Sequence, residues 1–269
     1  MLAAAVCAEE RAPAPPAAPA GWRLIWHDEF DQPGLPDSSR WSYDVGGHGW
    51  GNHELQYYTN VRPENARVEN GRLIIEARRE AWRGSAYTSA RLVTKNKGDW
   101  TSGRFEICAR LPLGRGTWPA IWMLPTVWNL GDGAWPDNGE IDIMEHVGSN
   151  PGSIHASTHS RKNQWRHNNQ RTSILPVPDA GTVFHTYAME WDAEEIRIYV
   201  DGHHYFTSRK EGGDWTSWPF DRPFHLVLNL AVGGDWGGEK GIDEKAFPQR
   251  MEVDYVRVYQ RAGVAPLAR

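Results

Sequence analysis

The chain has 269 residues, a formal net charge of −5, 23% charged residues and 40% hydrophobic residues. A chain of this length can bury a full core, and all-β domains of this size are often single. Lys and Arg are scattered without a basic run and no apolar stretch is long enough for a membrane span; this argues against nucleic acid or anionic lipid as partners and against a bilayer-crossing helix.

In chain order, the first twenty residues carry no period of helix or strand. LAAAVCA followed by Glu9 resembles the end of a secretory leader, with Val6 and Ala8 as small residues before a cleavage point, although a basic n-region is missing. Residues 9–20 are rich in Pro and Ala and read as an extended linker. One domain is expected over 21–262 and a short tail over 263–269; the leader points to a secreted or extracytoplasmic protein. Of the two cysteines, Cys7 falls in the leader-like segment and Cys108 in a strand pattern. That placement argues against a structural disulfide and a cysteine metal site.

From Gly21 onward the apolar pattern alternates. RLIIEARRE (72–80) places Leu73, Ile75 and Ala77 on one face, and GRFEICARLP (103–112) does the same with Phe105, Ile107, Ala109 and Leu111. FHTYAMEW, EIRIYVDG, HHYFTS, FHLVLNLAV and MEVDYVRVYQ are further strand candidates, separated by turn signals such as VENG (68–71), LPLGRG (111–116) and VDGH (200–203). No helical period persists beyond about two turns, which predicts an antiparallel all-β sandwich or barrel.

Fifteen tryptophans are unusual, and five fall between Trp100 and Trp135. Many sit beside Gly, Pro or Asn, which suggests loops and a site rim; core packing is the plainer alternative. Flat indoles pack on the apolar faces of sugar rings and donate N–H bonds to hydroxyls.

GEIDIMEHVG (139–148) holds Glu140, Asp142 and Glu145 among apolar Ile141, Ile143, Met144 and Val147. On a strand, Glu140 and Asp142 share a face, whereas Glu145 falls on the other. Three carboxylates on one strand repel one another and are costly to bury, so a purely structural role is poorly served; solvated acids on an exposed edge are the alternative. A β-bulge restores the phase. With Met144 as the extra residue, Glu145 joins the face of Glu140 and Asp142. The two glutamates are then about 13 Å apart along the strand at Cα, and their side chains can converge towards the roughly 5–5.5 Å of a retaining glycosidase pair. Asp142 between them can share a proton or orient one of them.

This stretch, with GTWPAIWMLP (116–125) and Trp135-Pro136 before it, resembles the active-site strand of family-16 glycoside hydrolases. The extra residue before the last Glu is typical of the laminarinase (endo-β-1,3-glucanase) branch. WHDEF (26–30), GNHELQYYT (51–59), GRLIIEA (71–77), the 218–238 segment ending in GGDWGG, and MEVDYVRVYQ (251–260) agree in order. The resemblance implies a jelly-roll β-sandwich with a concave carbohydrate cleft. By position it makes Glu140 the nucleophile, Glu145 the general acid/base and Asp142 the assisting carboxylate of a retaining endo-β-1,3-glucanase.

The resemblance also points to Trp118, Trp122 and Trp135 as sugar-stacking residues, to Asn52 and Arg91 as hydroxyl-binding groups, and to Trp236 on a loop rimming the cleft. His159 fits the next strand, on the leaving-group side or as a structural residue. No cofactor is expected for catalysis, and neither HDEF nor His53-Glu54 has the second His of a zinc motif. A structural calcium on the convex face would involve Glu29, Gly71 and Asp254. The expected partner is β-glucan, met by a monomer. The alternatives are another family-16 specificity (a licheninase or a galactan hydrolase), a transglycosylase, or a glucan-binding protein without activity.

Overall fold

The computed structural model describes residues 17–263. The leader-like segment with Cys7, most of the linker and all but the first residue of the expected tail lie outside them. Two sheets face each other across one apolar core. The outer sheet runs, in spatial order, through His203–Arg209, Glu195–Val200, His185–Trp191, Gly103–Arg110, Gln249–Arg261, Arg72–Trp82, Ser85–Ser89 and Gln56–Tyr58. Trp22–Asp28 pairs along Gln249–Arg261, so the first and last strands close on each other, Trp22 opposite Arg261. The inner sheet runs through Arg171–Pro176, Ser153–His159, Glu140–Glu145, Thr117–Pro125, Phe224–Val232, Arg91–Val93 and Ser42–Tyr43. Strand pairs are antiparallel except Gln56–Tyr58 with Ser85–Ser89. This is the expected antiparallel jelly-roll sandwich. Among the described residues, helix amounts to one turn at Gly234–Gly237 and two 3-10 turns, Trp165–His167 and Glu244–Ala246.

The period-2 pattern decides which face each strand buries. Gly103–Arg110 alternates buried and half-buried along its whole length, with Phe105, Ile107 and Ala109 in the core and Arg104, Glu106 and Arg110 outside. Phe224–Val232 is buried at every position, because one face meets the core while the other underlies the cleft. Each fully buried Leu, Ile or Phe contributes about 1.5–3 kcal/mol, and this apolar layer underlies the carboxylates of the inner sheet.

The tryptophans divide. Trp41, Trp100, Trp191 and Trp218 are buried, whereas Trp50, Trp118, Trp122, Trp128, Trp135 and Trp165 line one cleft on the inner sheet. Trp100, one of the five in the 100–135 cluster, is therefore a core residue, edge-on to Trp26 and Phe105.

Candidate active site

The strand Glu140–Glu145 lies between Thr117–Pro125 and Ser153–His159. Gly139, immediately before it, has φ of +86°, and a Cβ there would stand 2.8 Å from Pro219 Cγ; only glycine allows both the turn and the approach. Along Ser153–His159, Glu140 pairs with His159, Asp142 with Ser157 and Glu145 with His155. Three steps on one strand thus oppose two on the other, which is a bulge. On the opposite side Met144 pairs with Ile121 and Asp142 with Trp122, leaving Ile143 without a partner. The extra residue is therefore Ile143 rather than the expected Met144. Ile141, Ile143 and Met144 are all fully buried in the core, while Glu140, Asp142 and Glu145 line the cleft together. The reason is packing: both bulge residues are large and apolar, and turning both inwards leaves the carboxylates no other face.

No arginine or lysine pairs with these acids among the described residues; indole N–H groups donate to the two glutamates, and an imidazole nitrogen stands beside Asp142. Trp135 Nε1 donates to Glu140 Oε2 and Trp118 Nε1 to Glu145 Oε1, each at 3.0 Å. His159 Nε2 stands 3.2 Å from Asp142 Oδ2 and 3.9 Å from Glu140 Oε1. Burial pushes the carboxyl groups of Glu140, Asp142 and Glu145 up to about 8. The negative charge of Asp142 adds to the rise of both glutamates, and the nearby His159 and the indole donors counter it. Carboxyls this close and this buried cannot all be ionised near neutrality. One donor atom each from Glu140, Asp142 and His159 lie within 4.8 Å of one another. A cation bridging them would occupy the same oxygens that acid chemistry needs.

The remaining predicted residues fall in three groups. Asn52, Arg91, Trp118, Trp122 and Trp135 line the cleft. The Arg91 guanidinium is sandwiched between Trp50 and Trp122, 4.7 Å from each ring, and Nε donates to Asp44 Oδ2 at 3.0 Å. His159 and Trp236 do not line it. His159 is buried, 3.2 Å from Asp142 Oδ2 and beside Trp135. Trp236, half-buried on the single helical turn, stands edge-on to Trp118 and to His155.

Beside the outer sheet, both Glu29 carboxylate oxygens accept from Arg257, at 2.9 and 2.6 Å, so that side chain is already engaged by a cation. Asp254 sits at a register shift of the last strand, 3.8 Å from Arg72 Nε. Gly71 occupies the turn before Arg72–Trp82 with φ of +70°.

Several lining residues escaped the sequence reading. Glu54 is a fourth cleft carboxylate. Burial raises its pKa, opposed by a hydrogen bond from Gln56, the charge of Arg91 and bonds from Asn52 and Tyr58. At the other end, Arg166 lies over the rings of Trp135 and Trp165, at 4.8 and 5.4 Å. The cross-strand row Glu145–Ala120–Asn229–Arg91 links the acids to the Arg91 side of the cleft.

A cleft with aromatic walls and uncompensated carboxylates fits a neutral polyhydroxylated chain, and comparison with known proteins agrees. Residues 53–257 match the family model described as glycosyl hydrolases family 16. The chain is 59% identical over 244 residues to a β-glucanase of Rhodothermus marinus, covering 89% of this chain and 85% of that protein. The X-ray structure of the laminarinase from Rhodothermus marinus superposes with a TM-score of 0.88, covering 89% of this chain and 97% of that one. SCLam, described as a non-specific endo-β-1,3(4)-glucanase, is 45% identical with a TM-score of 0.85, covering 92% and 94% of the two chains. The chain belongs to glycoside hydrolase family 16.

Proposed function

We propose that the protein is a retaining endo-β-1,3-glucanase that hydrolyses internal bonds of laminarin-type β-glucan. The observation that carries the proposal is the bulge at Ile143, which brings Glu145 to the face of Glu140 and Asp142. In the first step a Glu140 carboxylate oxygen attacks the anomeric carbon, and the bond to the glycosidic oxygen breaks as Glu145 delivers its proton to that oxygen. Glu145, now ionised, takes a proton from water, whose oxygen displaces Glu140 from the anomeric carbon and restores both groups. The raised pKa of Glu145 suits the acid half of this cycle. Glu140 has to be ionised to attack, and the Trp135 indole N–H and His159 favour that form. Asp142, against His159, holds a proton or a hydrogen bond in exchange with its neighbours.

Mixed-linkage β-1,3-1,4-glucan belongs to the proposal as a second substrate, supported by the likeness to SCLam. Reducing-sugar release and product profiles on laminarin, lichenan and agarose, with and without acceptor oligosaccharides, test the substrate class. Cleavage of agarose alone would replace this reading, and a dominant transfer product would make the protein a transglycosylase. Absence of cleavage with retained glucan binding would make it a binding protein.

The protein acts outside the cytoplasm as a monomer, because a polymeric glucan is met there and residues 1–8 resemble a leader; fractionation and size-exclusion chromatography test this. Residues 21–262 form the catalytic unit. A structural calcium is held on the convex face by backbone carbonyls of Glu29 and Gly71 with the Asp254 carboxylate, the Glu29 side chain being occupied by Arg257. A thermal midpoint that falls on chelation and returns with calcium supports it, and an unchanged midpoint removes it.

A further inference from the structure

Four polar side chains at the cleft floor form a chain whose direction can be deduced. An indole N–H only donates, so Trp122 Nε1 donates to Asn229 Oδ1, at 2.6 Å. The Asn229 amide is thereby oriented, and its Nδ2 donates to the Tyr58 hydroxyl oxygen at 3.0 Å. Tyr58 has one proton left to give, and it goes to Glu54 Oε2 at 3.3 Å. A second line of bonds reaches the same atom. The backbone N–H of Val232 donates to Gln56 Oε1 at 2.7 Å, so Gln56 presents its NH2 group, which donates to Glu54 Oε2 at 2.6 Å. Both lines begin at groups that can only donate, and both end on one oxygen that therefore has to accept.

Tyr58, Gln56 and Asn229 are buried, where an unmet donor costs about 1–3 kcal/mol. Among the described residues the other carboxylate oxygen of Glu54, Oε1, meets only Asn52 Nδ2 at 3.4 Å, the outer edge of a hydrogen bond. Glu54 itself lines the cleft that holds Glu145.

We propose that Glu54 is a positioning residue for the glycosidase reaction: Oε2 anchors the Trp122 ring through Tyr58 and Asn229. Trp122 is then held at its edge by Asn229 and on its face by Arg91, so the stacking surface is set before the sugar arrives. The role of Trp122 as a sugar platform rests on the β-glucan reading given above; the hydrogen-bond anchoring of its ring does not.

The test compares Glu54→Ala, Glu54→Gln and Tyr58→Phe in the full chain. Without substrate, the difference in near-ultraviolet circular dichroism between the parent protein and Trp122→Phe isolates the signal of the Trp122 ring. Glu54→Ala and Tyr58→Phe lose most of that signal, and Glu54→Gln keeps it, because the amide oxygen accepts both donors. On laminari-oligosaccharides, the first two variants raise KM about tenfold with kcat within about threefold of the parent, and Glu54→Gln stays within about threefold in both.

A Tyr58→Phe protein with the parent's Trp122 signal and KM overturns the proposal, as does a Glu54→Gln protein that behaves like Glu54→Ala. If Glu54→Ala fails to fold, the other two variants decide. A parent protein inactive on every β-glucan sinks the substrate reading alone, because the substrate-free signal still reports the anchor.

Discussion

The two sheets of this sandwich treat carboxylates in opposite ways. On the outer sheet each acid meets arginines. Glu76, 1% exposed, lies between Arg67 Nη2 at 3.0 Å, Arg250 Nε at 2.8 Å and Arg78. Glu190 accepts from Arg104 at 2.7 Å and from Arg197 at 2.9 Å, and Glu252 from Arg110 at 2.7 Å. On the inner sheet Glu140, Asp142 and Glu145 meet indoles and an imidazole, and the cleft arginine at 91 is bound to Asp44. The strands are similar in construction, so the difference lies in what surrounds the charge. Compensated acids hold a surface together, whereas uncompensated buried acids have shifted proton affinity and store reactivity.

The contrast breaks most visibly at Glu140. Glu140→Gln is expected to lower kcat on laminarin by about 10⁴-fold or more while the protein still folds and binds oligosaccharide. Near-parental turnover would remove Glu140 from the reaction. Next in size, Trp135→Phe deletes the N–H donor to Glu140 and lowers kcat about 10- to 100-fold with a smaller change in binding, read from steady-state kinetics.

The matching change on the outer sheet has the reverse signature. Glu76→Gln leaves three arginines without their shared anion and costs about 1–3 kcal/mol, discounted because those arginines are partly solvated. The thermal midpoint falls by several degrees and kcat does not move.

The pH dependence of stability separates the same two regions. The cleft carboxyls are raised in the folded state to about 8. The folded protein therefore holds protons that the unfolded chain releases near pH 4, and their contribution is lost as pH rises towards and through 8. Glu29, Glu69 and Glu80 are lowered instead. Burial works against ionisation of Glu29, and Arg257 overrides it; Arg67 and Arg62 hold the other two down. Their contribution is present above the unfolded carboxyl pKa and lost as pH falls below it. The midpoint difference between Glu140→Gln and the parent is expected to grow in the variant's favour from pH 4.5 to 8. A difference independent of pH would mean that Glu140 is not held against ionisation.

Much of this division was legible in the sequence. The outer ladder shows in the alternation of RLIIEARRE and GRFEICARLP, where Glu76–Arg78–Glu80 and Arg104–Glu106 place opposite charges two residues apart on one face. The catalytic strand was legible because its acids are neighbours in sequence, although which residue bulges was not: Ile143 and Met144 are alike in hydrophobicity, and the register with Ile121 decides. Glu54, Gln56 and Tyr58 also alternate, and Asn229 interrupts an apolar strand that is buried throughout. A buried amide needs partners, but the sequence does not show that Asn229 is buried or which groups it meets. Trp165 and Arg166 lie in a segment without period, and only chain closure brings them over Trp135.

The central claim is that Ile143 turns an odd spacing into a shared face with Glu140 as nucleophile. The most direct measurement is mass spectrometry of peptides after incubation with an activated 2-deoxy-2-fluoro-glucoside or its laminaribiosyl analogue, which slows release of the glycosyl-enzyme. The account predicts one adduct, on Glu140. An adduct on Glu145, Asp142 or any other residue would contradict it.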